Sequence, residues 1–149
     1  MRTADHVLAG LVPPDRLPTR DHEEPVPLAA VLRPALSDQS FRYAIARVDN
    51  SGRIAVAQVL RHLGWKTGDQ LTISTMRDVV VVQRRSTGLH AVPEKRSLVI
   101  PASARRVCGI GAGDSVMVAA AAEFDIALVH PPAALDKMMA LYHSDEIEE

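Results

Sequence analysis

The chain is poor in cysteine, in aromatic residues and in long apolar runs. One cysteine, Cys108, in 149 residues excludes an internal disulfide framework and a cysteine-based zinc site. Aromatic residues make up 3% of the chain (Phe41, Tyr43, Trp65, Phe124 and Tyr142), so a core has to be built from Val, Ile, Leu and Ala. With 47% apolar residues there is enough material for one, and wholesale disorder is excluded. The apolar runs, among them Val79–Val82 and the longest, Val116–Ala122, fall far short of the roughly 20 residues that span a bilayer as a helix. Asp5 and His6 interrupt the stretch where an export signal needs unbroken apolar sequence. These absences predict a soluble, cytoplasmic protein with one compact domain plus tails.

Enzymatic constellations are also missing. The histidines (His6, His22, His62, His90, His130, His143) show no metal-ligand spacing on a helix. Ser51, Ser97 and Ser103 have no nucleophile elbow around them. Gly109-Ile110-Gly111-Ala112-Gly113 is followed by Asp114, where a phosphate loop needs Lys and Ser or Thr; an acid there repels phosphate. Cys108 falls at the apolar end of an expected helix and reads as a small core residue. The expectation is a protein that is not an enzyme and carries neither cofactor nor metal.

The net charge of −1 is unevenly spread. Residues 1–40 carry four Arg against six acids, residues 41–125 carry twelve Lys/Arg against seven acids, and residues 126–149 carry Lys137 against five acids. A basic middle between acidic ends is the footprint of a module that meets a polyanion. Six of the ten prolines lie between Pro13 and Pro34, and because proline removes a backbone donor and disfavours a helix before it, residues 1–40 read as an arm or linker. Ala4–Leu11 and Pro27–Arg33 have the pattern of short helical turns within it. The compact domain is expected to begin near Phe41.

From there the chain repeats itself. Gly64-Trp65-Lys66-Thr67-Gly68-Asp69 aligns with Gly109-Ile110-Gly111-Ala112-Gly113-Asp114 at an offset of 45 residues. Ile54-Ala55-Val56 then meets Val99-Ile100-Pro101, Leu71-Thr72-Ile73 meets Val116-Met117-Val118, and Val79–Val82 meets Phe124–Ala127. Each copy reads as β-β-α-β-β. The first strands are Tyr43–Val48 and Leu89–Val92, the second Arg53–Val56 and Leu98–Ile100. Helices Ala57–Leu63 and Ala102–Cys108 follow, closed by Gly64 and Gly109 as left-handed C-caps. Hairpins complete the units, Gln70–Ser74 with Val79–Gln83 and Ser115–Ala119 with Phe124–Val129. One unit of about 45 residues cannot bury its apolar face alone, whereas two can interlock. The fold class expected is mostly β with short helices: two β-β-α-β-β units (41–86 and 87–130) closing into a small barrel as an intramolecular pseudo-dimer. Residues 131–149 follow as a helix, with Leu135, Met138, Met139 and Tyr142 spaced for one face, and an acidic tail.

This pattern resembles the AbrB/MazE/SpoVT family of swapped-hairpin DNA-binding domains. The first copy carries the resemblance through Val48-Asp49-Asn50-Ser51-Gly52-Arg53-Ile54, Arg61, Leu63-Gly64-Trp65 and Gly68-Asp69. The second does so through Val99-Ile100-Pro101, Arg105-Arg106, Gly109-Ile110 and Gly113-Asp114. Together the matches cover about residues 43–130. The first copy has Val56 in place of the family's helix proline and Leu60 in place of its first helix arginine; the second has Ser97-Leu98 where Gly-Arg would stand. The family fold is usually completed by two chains, and here both copies lie on one.

The resemblance implies a DNA-binding face made from Arg47 and Arg53 of one half and Lys95, Arg96, Arg105 and Arg106 of the other, joined by Arg61. Such a face neutralises phosphates first, and arginines that reach guanine can add specificity. Arg77, Arg84 and Arg85 fall away from the matched positions. The function implied is a transcriptional regulator that binds double-stranded DNA, nucleoid-associated and acting as a homodimer. An alternative within the same family is an antitoxin that binds DNA and neutralises a toxin protein through a terminal tail. A third reading is a β-barrel docking module for proteins without DNA binding. No membrane partner is expected.

Overall fold

The structure, a computed structural model, describes residues 41–144. The expected arm 1–40 with its two helical turns, and the acidic tail 145–149, lie outside the described residues. The first half consists of β1 (Phe41–Arg47), β2 (Arg53–Ala55), α1 (Ala57–Leu63), β3 (Gln70–Met76) and β4 (Val79–Arg84). The second follows as β5 (His90–Ala91), β6 (Ser97–Val99), α2 (Ala102–Cys108), β7 (Ser115–Ala121) and β8 (Ile126–His130), with a 3-10 turn at Ala122–Phe124. The last helix, α3, spans Pro132–Tyr142. It opens with proline at its first position, where a missing N–H costs nothing.

All strand pairs are antiparallel. Six strands form one sheet in the order β1-β7-β8-β4-β3-β5, and β2 pairs with β6 in a separate two-stranded ribbon. Exchanging each strand for its counterpart in the other half reverses this order without altering it. The halves are therefore interlocked: β1 pairs with β7, β4 with β8, β5 with β3 and β2 with β6. The burial pattern explains the arrangement. Ile54 and Leu98, directly opposite each other in the ribbon, are both buried, and they share one core with Leu60, Leu63, Val80, Val82, Val118 and Val129. Strands β4 and β8 sit in the middle of the sheet and read as unbroken buried runs, Val80–Gln83 and Ile126–Val129, as strands covered on both faces do. Helix α3 packs on β7 and β8.

Two expectations need correction. Among the described residues the sheet does not close into a barrel: β1 pairs only with β7 and β5 only with β3, which leaves two open edges there. β5 is two residues long because the chain between it and β4 is used up in the connection, where Arg85 N–H bonds to the Gln70 carbonyl and Gly88 N–H to the Arg85 carbonyl. The repeat is also not uniform. From α1 to β3 the offset of 45 holds, but the ribbon register pairs Arg53 with Val99 and Ala55 with Ser97, which makes Arg53 equivalent to Ser97 at an offset of 44. At the other end, the tight turn Arg77–Asp78 of the first hairpin becomes the four-residue loop Ala122–Asp125 of the second, so Val79 matches Ile126 rather than Phe124. Strand alternation fixes register, while turns absorb insertions.

Helix α3 is exposed over most of its length. Leu135 is half-buried and Ala134 buried, but Met138, Met139, Leu141 and Tyr142 are exposed. The helix is tied down at its middle, where Lys137 Nζ donates to Asp78 Oδ2 at 3.1 Å.

Candidate nucleic-acid interface

The turn between β1 and β2 is built by a carboxylate. Asp49 Oδ1 accepts N–H bonds from Ser51 (2.8 Å) and Arg53 (2.9 Å), while the Gly52 N–H reaches the Asp49 carbonyl at 3.1 Å. These backbone donors, Arg53's first, hold the Asp49 carboxyl below the usual carboxylate range, with the Arg53 and Arg105 charges adding to them. Gly52 takes φ +82°, and a Cβ there would lie 2.7 Å from both the Ile100 carbonyl oxygen and Arg105 Nε. Only glycine therefore lets the second half approach this closely. The approach is real: Ile100 N–H bonds to the Gly52 carbonyl at 2.8 Å, and Arg105 Nε donates to the Ile100 carbonyl at 3.0 Å.

The result is a shared cluster. Arg105, from α2 of the second half, lies against Gly52 and acts on Asp49 of the first half, beside Arg53. Both arginines are half-buried. Arg105 is pinned through Nε, which leaves its two terminal nitrogens as a fixed fork, the geometry that suits phosphate or guanine. Arg53 Nε is buried with no partner among the described residues.

The remaining candidate residues lie elsewhere on the scaffold. Arg47, exposed, ends β1 opposite Ser115. Lys95 and Arg96 are exposed in the turn before β6. Because Ser97 faces Ala55 while Arg53 faces Val99, the two turns stand at opposite ends of the ribbon, about 10 Å apart along it on the strand rise. Arg61 and Arg106 occupy equivalent exposed positions on α1 and α2. The expected grouping of Arg105 with Lys95 and Arg96 is thus corrected: the chain crosses over, and Arg105 joins Arg53. The residue equivalent to Gly52 is Arg96, held left-handed at φ +52°, so Arg96-Ser97 rather than Ser97-Leu98 stands where Gly-Arg would.

A second charged network has no counterpart in the sequence reading. Arg84 bonds Asp125 at 2.9 Å and Asp69 at 3.3 Å, its guanidinium pKa raised chiefly by the Asp125 bond. Asp125 also accepts the Trp65 indole N–H at 3.0 Å. Trp65 is buried in the core, and this bond satisfies its one polar atom. The network ties the first helix's exit to the second hairpin, and no spacing rule in the sequence connects these residues. Cys108 is buried, and burial pushes its thiol pKa up, which makes it a poor nucleophile. Among the described residues no group of His, Cys, Asp and Glu is arranged to hold a metal ion, and no helix is long and apolar enough to cross a membrane. No protein-family model, curated protein or solved structure matches the chain.

Proposed function

We propose that this protein is a DNA-binding transcriptional regulator, built as a duplicated swapped-hairpin scaffold of the AbrB type in which one chain supplies both units of a pseudo-dimer. The observation that carries the reading is the Arg53–Arg105 pair: arginines from different halves both act on Asp49 at one glycine turn, and Arg105 is already oriented by a backbone carbonyl. A fork fixed before binding loses less side-chain freedom on contact. Arg47, Arg61 and Arg106 add exposed charge, and Lys95 and Arg96 supply a second basic turn at the far end of the ribbon.

Fluorescence anisotropy with duplex DNA across a salt series tests this. Six phosphate contacts lower affinity by about 10³ between ~50 and ~200 mM salt, and the Arg53→Ala/Arg105→Ala variant is expected to weaken binding to a preferred duplex. Absence of binding at low salt, or an affinity unchanged in the variant, refutes the reading. A second interaction is favoured by the exposed Met139, Leu141 and Tyr142 of α3, an apolar surface that suits a second copy of the chain. Sedimentation of Leu141→Glu/Tyr142→Glu beside wild type checks it, with a shift from dimer to monomer expected.

A further inference from the structure

The two halves differ in how they cover their own sheet edges. All seven residues of β7 are paired with β1, from Ser115 opposite Arg47 to Ala121 opposite Phe41. Its counterpart β3 is paired with β5 only at Gln70 and Leu71. Thr72–Met76 therefore has β4 on one side and no strand on the other among the described residues. The residues that would fill the gap, 85–89 at the offset of 44, form the connection instead. Gly88 presses onto the backbone of Leu71, where a Cβ would overlap the Leu71 carbonyl.

Backbone polarity in this gap follows from the bonds beside it. The Gln70 carbonyl accepts from Arg85 on the β4 side, and the Asp69 carbonyl accepts from Val92 on the β5 side. Alternation along an antiparallel strand then points the N–H and C=O of Ile73 and Thr75 into the open edge. Thr72-Ile73-Ser74-Thr75-Met76 contains no charge and no proline, the usual protections of an exposed edge, whereas β1, whose outer side has no strand among the described residues, carries Arg42 and Arg47. A wall stands beside the gap: Ser103, Ala104 and Val107 of α2 line one groove with Ile73, Ser74 and Thr75. In the other half the equivalent face of α1, Gln58, Val59 and His62, lies against Arg42 and Tyr43 of β1. The groove lining includes His90 and no acid, and Arg77, exposed and with no ion pair among the described residues, follows directly at the Met76 end.

We propose that the open edge of β3 at Thr72–Met76, walled by α2, is a strand-addition site for an extended acidic segment of a partner protein, which pairs antiparallel to β3 as β1 does to β7. Main-chain bonds to Ile73 and Thr75 hold the segment, apolar side chains at alternate positions meet Val107 and Ala104, and acidic ones meet Arg77 and His90. The lining of the site includes neither Arg53 nor Arg105, and the proposal does not depend on DNA binding.

The probe is a labelled heptapeptide alternating glutamate and valine, with a lysine–valine peptide of equal length as the control. The expected result is binding of the acidic peptide to the full chain, with slowed amide exchange at Ile73 and Thr75. Thr75→Pro removes one edge N–H while sparing the β4 ladder, as proline does on an edge strand, and should weaken binding by about tenfold. Arg77→Glu should reverse the preference between the two peptides. Binding without protection of Ile73 and Thr75, or binding indifferent to Thr75→Pro in a variant whose circular dichroism is unchanged, overturns the proposal. Slow exchange at these amides before peptide is added gives the edge to other residues of this chain, and protection that grows with protein concentration alone gives it to a second copy. Either result also overturns it.

Discussion

The two turns at the ends of the β2–β6 ribbon do the same topological job with different chemistry. Turn one has Asp49 to collect backbone donors, Gly52 to take a left-handed conformation without strain, and room for Arg105 to lie on it. Turn two has Pro93 at the place of Asp49, which brings neither a backbone N–H nor a carboxylate, and Arg96 at the place of Gly52, left-handed with a Cβ attached. On α1 the residue equivalent to Arg105 is Leu60, fully buried. The two halves thus share a matching core while their polar surfaces differ. A hydrophobic interior constrains both copies through a shared volume, while an exposed turn answers only to its own neighbours.

The symmetric part is the one to break first. Ile54→Ala removes a fully buried side chain from the ribbon's centre and should cost about 2–5 kcal/mol. Because Leu98 of the other half faces it, chemical denaturation followed by Trp65 fluorescence and by circular dichroism should give one coincident transition. Two separate transitions would mean that the halves fold independently, against the interlocked pairing.

The next largest effect sharpens the contrast between turns. Gly52→Ala forces a Cβ to φ +82° and against the Ile100 carbonyl, and about 2–3 kcal/mol of destabilisation is expected from left-handed strain together with backbone displacement. Arg96→Gly relieves the same strain at turn two and should stabilise by about 0.5–1 kcal/mol, the relief being partly offset by the greater freedom of glycine in the unfolded chain. Thermal melts of the two variants should therefore move in opposite directions.

Much of this was legible in the sequence, for identifiable reasons. Both short helices begin and end where expected, since Gly64 and Gly109 close them and buried Leu63 and Cys108 mark the last apolar position. The doubled hydrophobic pattern led to interlocked halves. What stayed hidden lies in segments without periodicity. The one-residue slip between turn one and turn two, and the two extra residues of the second hairpin, change no apolar alternation and so leave no trace in a pattern search. The crossing of Arg105 to Gly52 is a contact between halves, which an alignment of one half on the other cannot contain. The missing strand beside Thr72–Met76 follows from chain consumed by the β4–β5 connection, where Arg85–Leu89 carries no turn signature stronger than Gly88.

On DNA the turns should separate by kind of contact. Arg53→Ala/Arg105→Ala removes the oriented pair and is expected to lower affinity by roughly 1–3 kcal/mol on a preferred site while relaxing sequence preference. Lys95→Ala/Arg96→Ala should weaken all duplexes alike and reduce the salt slope by about 2, as loss of phosphate contacts does. Titrations on one preferred and one scrambled duplex distinguish these outcomes. Equal effects on both duplexes from both variants would erase the functional difference between the turns.

The smallest effect isolates Asp49. Its carboxyl titrates below the usual range because Arg53 and Ser51 donate backbone N–H bonds to the ionised form. A folded-state pKa lower than the unfolded one gives stability that is present above the unfolded value, about pH 4, and is lost as pH falls through the folded value. Asp49→Asn keeps an acceptor oxygen but removes the titration. The variant should melt below wild type at neutral pH, and the two curves should converge as the pH approaches 2. Pro93→Ala, at the place of Asp49 in turn two, adds no titrating group and should run parallel to wild type through the same acid limb. Melting temperatures between pH 6 and pH 2 for the three proteins decide it: if Asp49→Asn also runs parallel to wild type, the carboxylate does not organise turn one, and the asymmetry between the turns rests on Gly52 alone.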